Sequence, residues 1–119
     1  MEQLYNLKPE VILGGGSAYF MPKSTPGSKR KDDKDFIREF RDSGYTVVST
    51  KTELRDALTK KTGRLLGLFH TGNMDEHLDR AILKKNTVPR FPDQPDLTDS
   101  MEAGLSVLSQ NPNGFFLMV

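Results

Sequence analysis

The chain contains no cysteine in 119 residues, which excludes disulfides and thiolate metal sites. That absence says little about compartment, because larger secreted proteins can do without disulfides. No stretch is long and apolar enough to span a bilayer. Met1-Glu2-Gln3-Leu4-Tyr5 lacks the basic-then-apolar pattern of a leader peptide. An excess of one charge sign is also missing: 17 basic against 16 acidic residues leave a net charge of +1. No global field therefore draws nucleic acid or an anionic membrane to the chain. The apolar fraction of 35% and mean hydropathy of -0.54 are low for a self-sufficient domain. The apolar residues nevertheless cluster in periodic blocks, which argues against general disorder. The length fits one domain or part of one, and no internal repeat is visible.

The blocks alternate between strand and helix character. Residues 1–7 read as the tail of a helix with Leu4 and Leu7 on one face. Val11-Ile12-Leu13 reads as a buried strand, broken by Gly14-Gly15-Gly16. Residues 21–31, rich in Pro, Gly, Ser and Lys, form a solvated loop. Asp32 to Ser43 is expected to be helical, with Phe36, Ile37 and Phe40 in one stripe, acids in the first turn and Gly44 as the stop. Tyr45–Ser49 is the second strand. Thr50-Lys51-Thr52-Glu53 has the spacing of a capping box and opens a short helix carrying Leu54, Ala57 and Leu58. Leu65–Phe69 is a third strand, apolar throughout.

Residues 70–96 have no clean period and hold Pro89, Pro92 and Pro95. They read as a long irregular connection with one helical turn around 75–82. Asp96 can cap a following helix, with Asp99 three residues on and Met101, Leu105 and Leu108 marking one face. Asn111-Pro112-Asn113-Gly114 is a strong turn. Phe115–Val119, an unbroken apolar run, reads as a fourth strand, buried on both faces. A chain that stops inside such a strand reads as a piece cut from a longer protein. Apolar strands alternating with helices predict an α/β fold with a mostly parallel sheet of about four strands and right-handed crossovers.

The chemical candidates are few. Gly14-Gly15-Gly16-Ser17 follows a strand, where phosphate loops occur. Position 19 is Tyr19 rather than glycine, and no Gly-Lys-Ser/Thr follows, so a tight turn is the better reading. His70, Asp75, Glu76, His77 and Asp79 could together hold a divalent metal. Gly72-Asn73 interrupts the helix that would align the histidines, so a solvated acidic loop is favoured. Lys29-Arg30-Lys31 could contact phosphate, but Asp32-Asp33 follows at once and cancels the field. There is no Gly-x-Ser-x-Gly elbow, and no serine or threonine has an evident partner base. No catalytic, cofactor-binding or metal-binding residue is assigned on these grounds.

Several blocks resemble the alkaline phosphatase family. They are Pro9–Gly16 with Tyr19-Phe20, Gly44–Ser49, Leu65–Phe69 with Gly72-Asn73-Met74, Leu97–Met101, and Leu108–Val119. The resemblance covers most of the chain in the family's order. It implies a parent enzyme that hydrolyses phosphate monoesters with paired zinc ions and a magnesium ion, through a zinc-activated serine and a phosphoserine intermediate. It also implies that the nucleophile, the phosphate-clamping arginine and the first metal aspartate lie before this segment. A magnesium-binding glutamate would come directly after Phe115–Val119, with zinc ligands beyond it. The chain would then be an internal α/β segment over 1–119, inactive alone, binding no metal itself and acting as scaffold. Its partner would be the remainder of the parent chain, which would itself take a phosphate monoester substrate. Apart from the resemblance, the exposed edges of a truncated sheet can pair with a second copy, so concentration-dependent association into a homodimer is expected. The family further implies an exported parent, periplasmic or extracellular. Animal members carry a calcium-binding glutamate after the Gly-Leu-Phe block. Here that position is His70, a poor ligand for a hard cation, so no calcium site is expected.

Two other readings stand beside this one. A freestanding flavodoxin- or receiver-like binding domain would need acidic or phosphate-binding residues at the strand ends. The strand ends here read Gly14, Thr50 and His70. A related metal-dependent phosphatase or mutase would share the core, and within that group the Gly-Leu-Phe and Gly-Phe-Phe-Leu blocks resemble alkaline phosphatase.

Overall fold

The computed structural model describes residues 2–74 and 93–119. Its element order is α1 (Glu2–Leu7), β1 (Val11–Gly14), α2 (Phe36–Asp42), β2 (Thr46–Val48), α3 (Lys51–Thr59), β3 (Leu65–Leu68) and α4 (Leu97–Leu108). A 3-10 turn at Ser17–Tyr19 follows β1. The described sheet has three strands in the order β1-β3-β2. Both pairings are parallel, with Val11 and Thr46 each opposite Leu65. The α/β class and parallel sheet expected from the blocks are present.

β3 is central and wholly buried, so alternate residues feed two separate cores. Leu65 and Phe69 face Val48, Leu54, Ala57, Ala103 and Val107 from β2, α3 and α4. Leu66 and Leu68 face Phe20, Phe36, Phe40 and Tyr45. In that second core the Phe40 ring meets Tyr45 edge-on at 4.9 Å and Tyr5 edge-on at 5.2 Å, the favoured aromatic geometry. Gly67 is required between the two halves of β3: a Cβ there would stand 2.5 Å from Cζ of Phe69, whose ring folds back over it.

Four sequence expectations need correction. Phe115–Val119 forms no strand among the described residues; Phe115, Phe116, Met118 and Val119 are exposed. A strand needs a neighbour for its backbone, and here the run lays Leu117 near Gly104 of α4, with Phe115 and Phe116 in a pocket beside Val107 and Leu108. The second helix starts at Phe36 rather than Asp32, because Asp35 caps it by accepting from the Arg38 amide. Asp32 is instead held by Arg30. Leu4 is half-buried against the second core, whereas Leu7 is 79% exposed. In α4 the buried face is Ala103, Gly104 and Val107, while Leu97, Met101 and Leu105 are exposed. Small residues let the helix approach the sheet closely, and the large ones cannot follow.

The caps agree well with expectation. Asp96 and Asp99 form a reciprocal capping box. Thr50 accepts from the Glu53 amide, but the Glu53 carboxylate reaches one residue further back, to the Ser49 amide at 2.7 Å. Gly44 ends α2 with φ +94. Of the 70–96 connection, residues 70–74 and 93–96 carry no helix or strand; the helical turn expected around 75–82 lies outside the described residues.

Candidate functional site

The carboxyl ends of β1 and β3 are where an open α/β sheet binds ligands. Two turns meet there, Gly14–Ser17 after β1 and His70–Met74 after β3. They are stitched by Gly16 N to Gly72 O (2.8 Å), Ser17 N to His70 O (3.0 Å) and Ala18 N to Thr71 O (3.2 Å). The backbones touch: a Cβ on Gly15 would stand 2.1 Å from Gly72 O. Gly16 has φ +83, a region that favours glycine. The triple glycine is thus a close backbone crossing, as expected for a tight turn.

Beside the crossing lies an open cleft of about 500 Å³ lined by Gly15, Gly16, Tyr19, Lys29, Gly72, Asn73 and Met74. Lys29 is its cation, and its Nζ lies 5.6 Å from the Tyr19 ring centre. The neighbouring Arg30 is committed elsewhere. Its Nε and Nη2 donate to the two Asp32 oxygens at 2.7 and 2.8 Å, its Nη1 donates to Tyr19 O, and its guanidinium covers Phe36 at 4.5 Å. The Arg30 hydrogen bond holds the Asp32 carboxyl below its ordinary range. Lys29-Arg30-Lys31 is therefore a loop anchor more than a phosphate patch.

His70 Nδ1 accepts from the Gly72 amide at 3.0 Å and so helps shape the turn. Of the metal-ligand candidates only His70 is described; Asp75, Glu76, His77 and Asp79 lie outside the described residues. Among the described residues no three of His, Cys, Asp and Glu lie together to hold a metal. Hydroxyl groups there bond other hydroxyls, backbone amides and carbonyls, or carboxylates, as in Ser49 with Glu53.

One polar anchor escaped sequence reasoning. Asp93 accepts from the Thr52 amide (3.1 Å) and hydroxyl (2.6 Å), and Lys51 N donates to Asp93 O. The nearby Lys51–Asp99 ion pair, at 3.0 Å, binds the same helix start to α4. The Thr52 bonds hold Asp93 below the usual carboxylate range, and the Asp96 amide does the same for Asp99. Nothing in a Pro-rich link signals a partner 41 residues away.

A family model described as Alkaline phosphatase matches residues 1–119. The chain belongs to the alkaline phosphatase family. It is 35% identical over 112 residues to alkaline phosphatase 4 of Bacillus subtilis (strain 168), covering 94% of this chain and 20% of that protein. Against the alkaline phosphatase of Gadus morhua it is 32% identical over 133 residues, covering 98% and 26%. The crystal structure of Thermus thermophilus alkaline phosphatase superposes with a TM-score of 0.75 at 32% identity, over 96% of this chain and 21% of that one. This chain of the phosphatase family thus spans a fifth to a quarter of the relatives named here. Among its described residues no helix is long and apolar enough to cross a membrane.

Proposed function

We propose that this chain is an internal scaffold segment of an exported, metal-dependent phosphomonoesterase. The parent would hydrolyse phosphate monoesters through a phosphoserine, with zinc and magnesium held by residues outside these 119. The observation that carries the reading is coverage: the match runs through the whole chain yet takes up only 20% of the Bacillus relative. Family membership also favours this reading over a freestanding binding domain. The described residues do not fit a zinc or magnesium centre, so no chemical step is assigned to them.

The proposed work of the segment is positional. β3 is gripped on both sides and buried on both faces, which makes it a rigid support. Leu117 of the Phe115–Val119 run and Val11 of β1 both lie near Gly104 of α4. With the rest of the parent packed over Leu97, Met101 and Leu105, this run would become a fourth strand. It would then aim the residue after Val119 at the metal site.

The test is hydrolysis of p-nitrophenyl phosphate with zinc and magnesium supplied. The chain alone should show no turnover, while the parent should turn over and lose activity to a chelator. Sustained turnover by the purified chain would overturn the scaffold reading. Reading the coding sequence past Val119 provides a second check, with a glutamate expected first.

A further inference from the structure

The two edges of the sheet are finished differently. At β2 the register turns the backbone of Thr46 and Val48 toward β3 and that of Val47 outward. The outward amides on either side are already engaged. Tyr45 N donates to Phe40 O at 3.1 Å, and Ser49 N donates to the Glu53 carboxylate at 2.7 Å. Among the described residues, Val47 is left presenting one N–H and one C=O in a notch whose flanking amides are already engaged.

The notch is the floor of a groove between α2 and α3. It holds about 670 Å³ and is lined by Ile37 and Arg41 of α2, Val47, and Glu53, Asp56 and Ala57 of α3 with Lys60 just beyond it. That volume lies within the ~300–1,000 Å³ of ligand sites. Charge is sorted along the groove. Arg41 and Lys60 flank the amino end of β2, where Thr46 bonds Thr62 at 2.8 Å. Glu53 sits at the carboxyl end against Ser49, with Asp56 one turn below it. Neither Arg41 nor Lys60 forms an ion pair among the described residues.

We propose that this groove binds an extended segment of a partner protein as an added strand antiparallel to β2. One peptide residue exchanges both backbone hydrogen bonds with Val47, which an antiparallel pairing allows and a parallel one does not. An acidic residue or a carboxyl terminus lies against Arg41 and Lys60. A basic residue lies against Glu53 and Asp56, and an apolar side chain between them packs on Ile37 or Ala57. This is strand addition at an edge, with the groove's charges setting direction. The groove reaches the glycine crossing only at Ser17 and Thr71, and the proposed strand pairing at Val47 uses neither of them.

The test uses the full chain and a fluorescent Arg-Thr-Val-Ser-Asp peptide with a free carboxyl terminus, followed by anisotropy. Two control peptides have the reversed order or an N-methyl group on the central valine. The forward peptide should saturate with a Kd of about 1 mM or tighter, and both controls should bind at least tenfold more weakly. Arg41 and Lys60 are exposed, so R41E/K60E should keep its circular dichroism and invert the preference between forward and reversed peptides. Equal binding of all three peptides, or no saturation, would overturn the proposal. Dimerisation of the chain that blocks the forward peptide would assign the edge to a second copy and overturn it equally.

Discussion

Gly15→Ala offers a sharp test of the glycine crossing. A Cβ at this position would stand 2.1 Å from Gly72 O, about an ångström inside any tolerated contact. The obstacle is backbone, so no rotamer change relieves it. The turn must move, and it is tied by Gly16 N to Gly72 O at 2.8 Å and Ser17 N to His70 O at 3.0 Å. Overpacking of this kind costs ~1–3 kcal/mol, and weakening one or two backbone bonds adds ~0.5–1.5 kcal/mol each. The expected loss is about 3 kcal/mol, which for a chain of this size lowers Tm by roughly 12 °C. Gly14→Ala is the control, because a Cβ there meets nothing within 4 Å. It should cost less than about 1 kcal/mol, since strand glycine is itself unfavourable. Urea unfolding of both variants, compared at constant m-value, separates the cases. Equal midpoints for the two would refute the crossing.

Other expectations follow from the same geometry. Phe40 is fully buried against three aromatic rings, so Phe40→Ala should cost about 3–5 kcal/mol in urea melts; a loss below ~1 kcal/mol would place that ring outside the core. In α4, Ala103→Leu should destabilise by about 1–3 kcal/mol through overpacking, whereas Leu105→Ser should stay within ~0.5 kcal/mol in the isolated chain. The opposite ranking would restore Met101, Leu105 and Leu108 as the buried face. Asp93 and Asp99 have carboxyls held below their ordinary values. Depressed folded-state values mean their stabilisation is complete above the unfolded pKa of about 4 and fades as pH falls through the lower folded values. Asp93→Asn should therefore flatten the acid limb of a urea-midpoint series from pH 7 to 2, and an unchanged limb would remove Asp93 as an anchor.

Much of the fold is legible along the chain because its causes are local. The apolar blocks Val11–Leu13 and Leu65–Phe69 mark strands. Asp96 with Asp99, and Thr50 with Glu53, mark helix starts, since a capping side chain bonds an amide only a turn away. The glycine run marks a turn for the same reason. The candidate site was less legible. Arg30 reads as part of a solvated loop whose field Asp32-Asp33 cancels, and only the fold shows its guanidinium fixed on Asp32, Tyr19 O and the Phe36 ring.

By itself the sequence determined the α/β class, the order of the three described strands and the helices between them, the caps at Thr50 and Asp96 and the family resemblance, all carried by spacing within a few residues or by motif blocks in order. Only the tertiary structure decided the rest. Helix α4 presents Ala103, Gly104 and Val107 inward, because distance to the sheet, and not hydrophobicity alone, selects the face. Strand β3 lies between β1 and β2, because crossover packing sets strand order. Phe115–Val119 stays unpaired among the described residues, because a strand exists only where another backbone offers it hydrogen bonds.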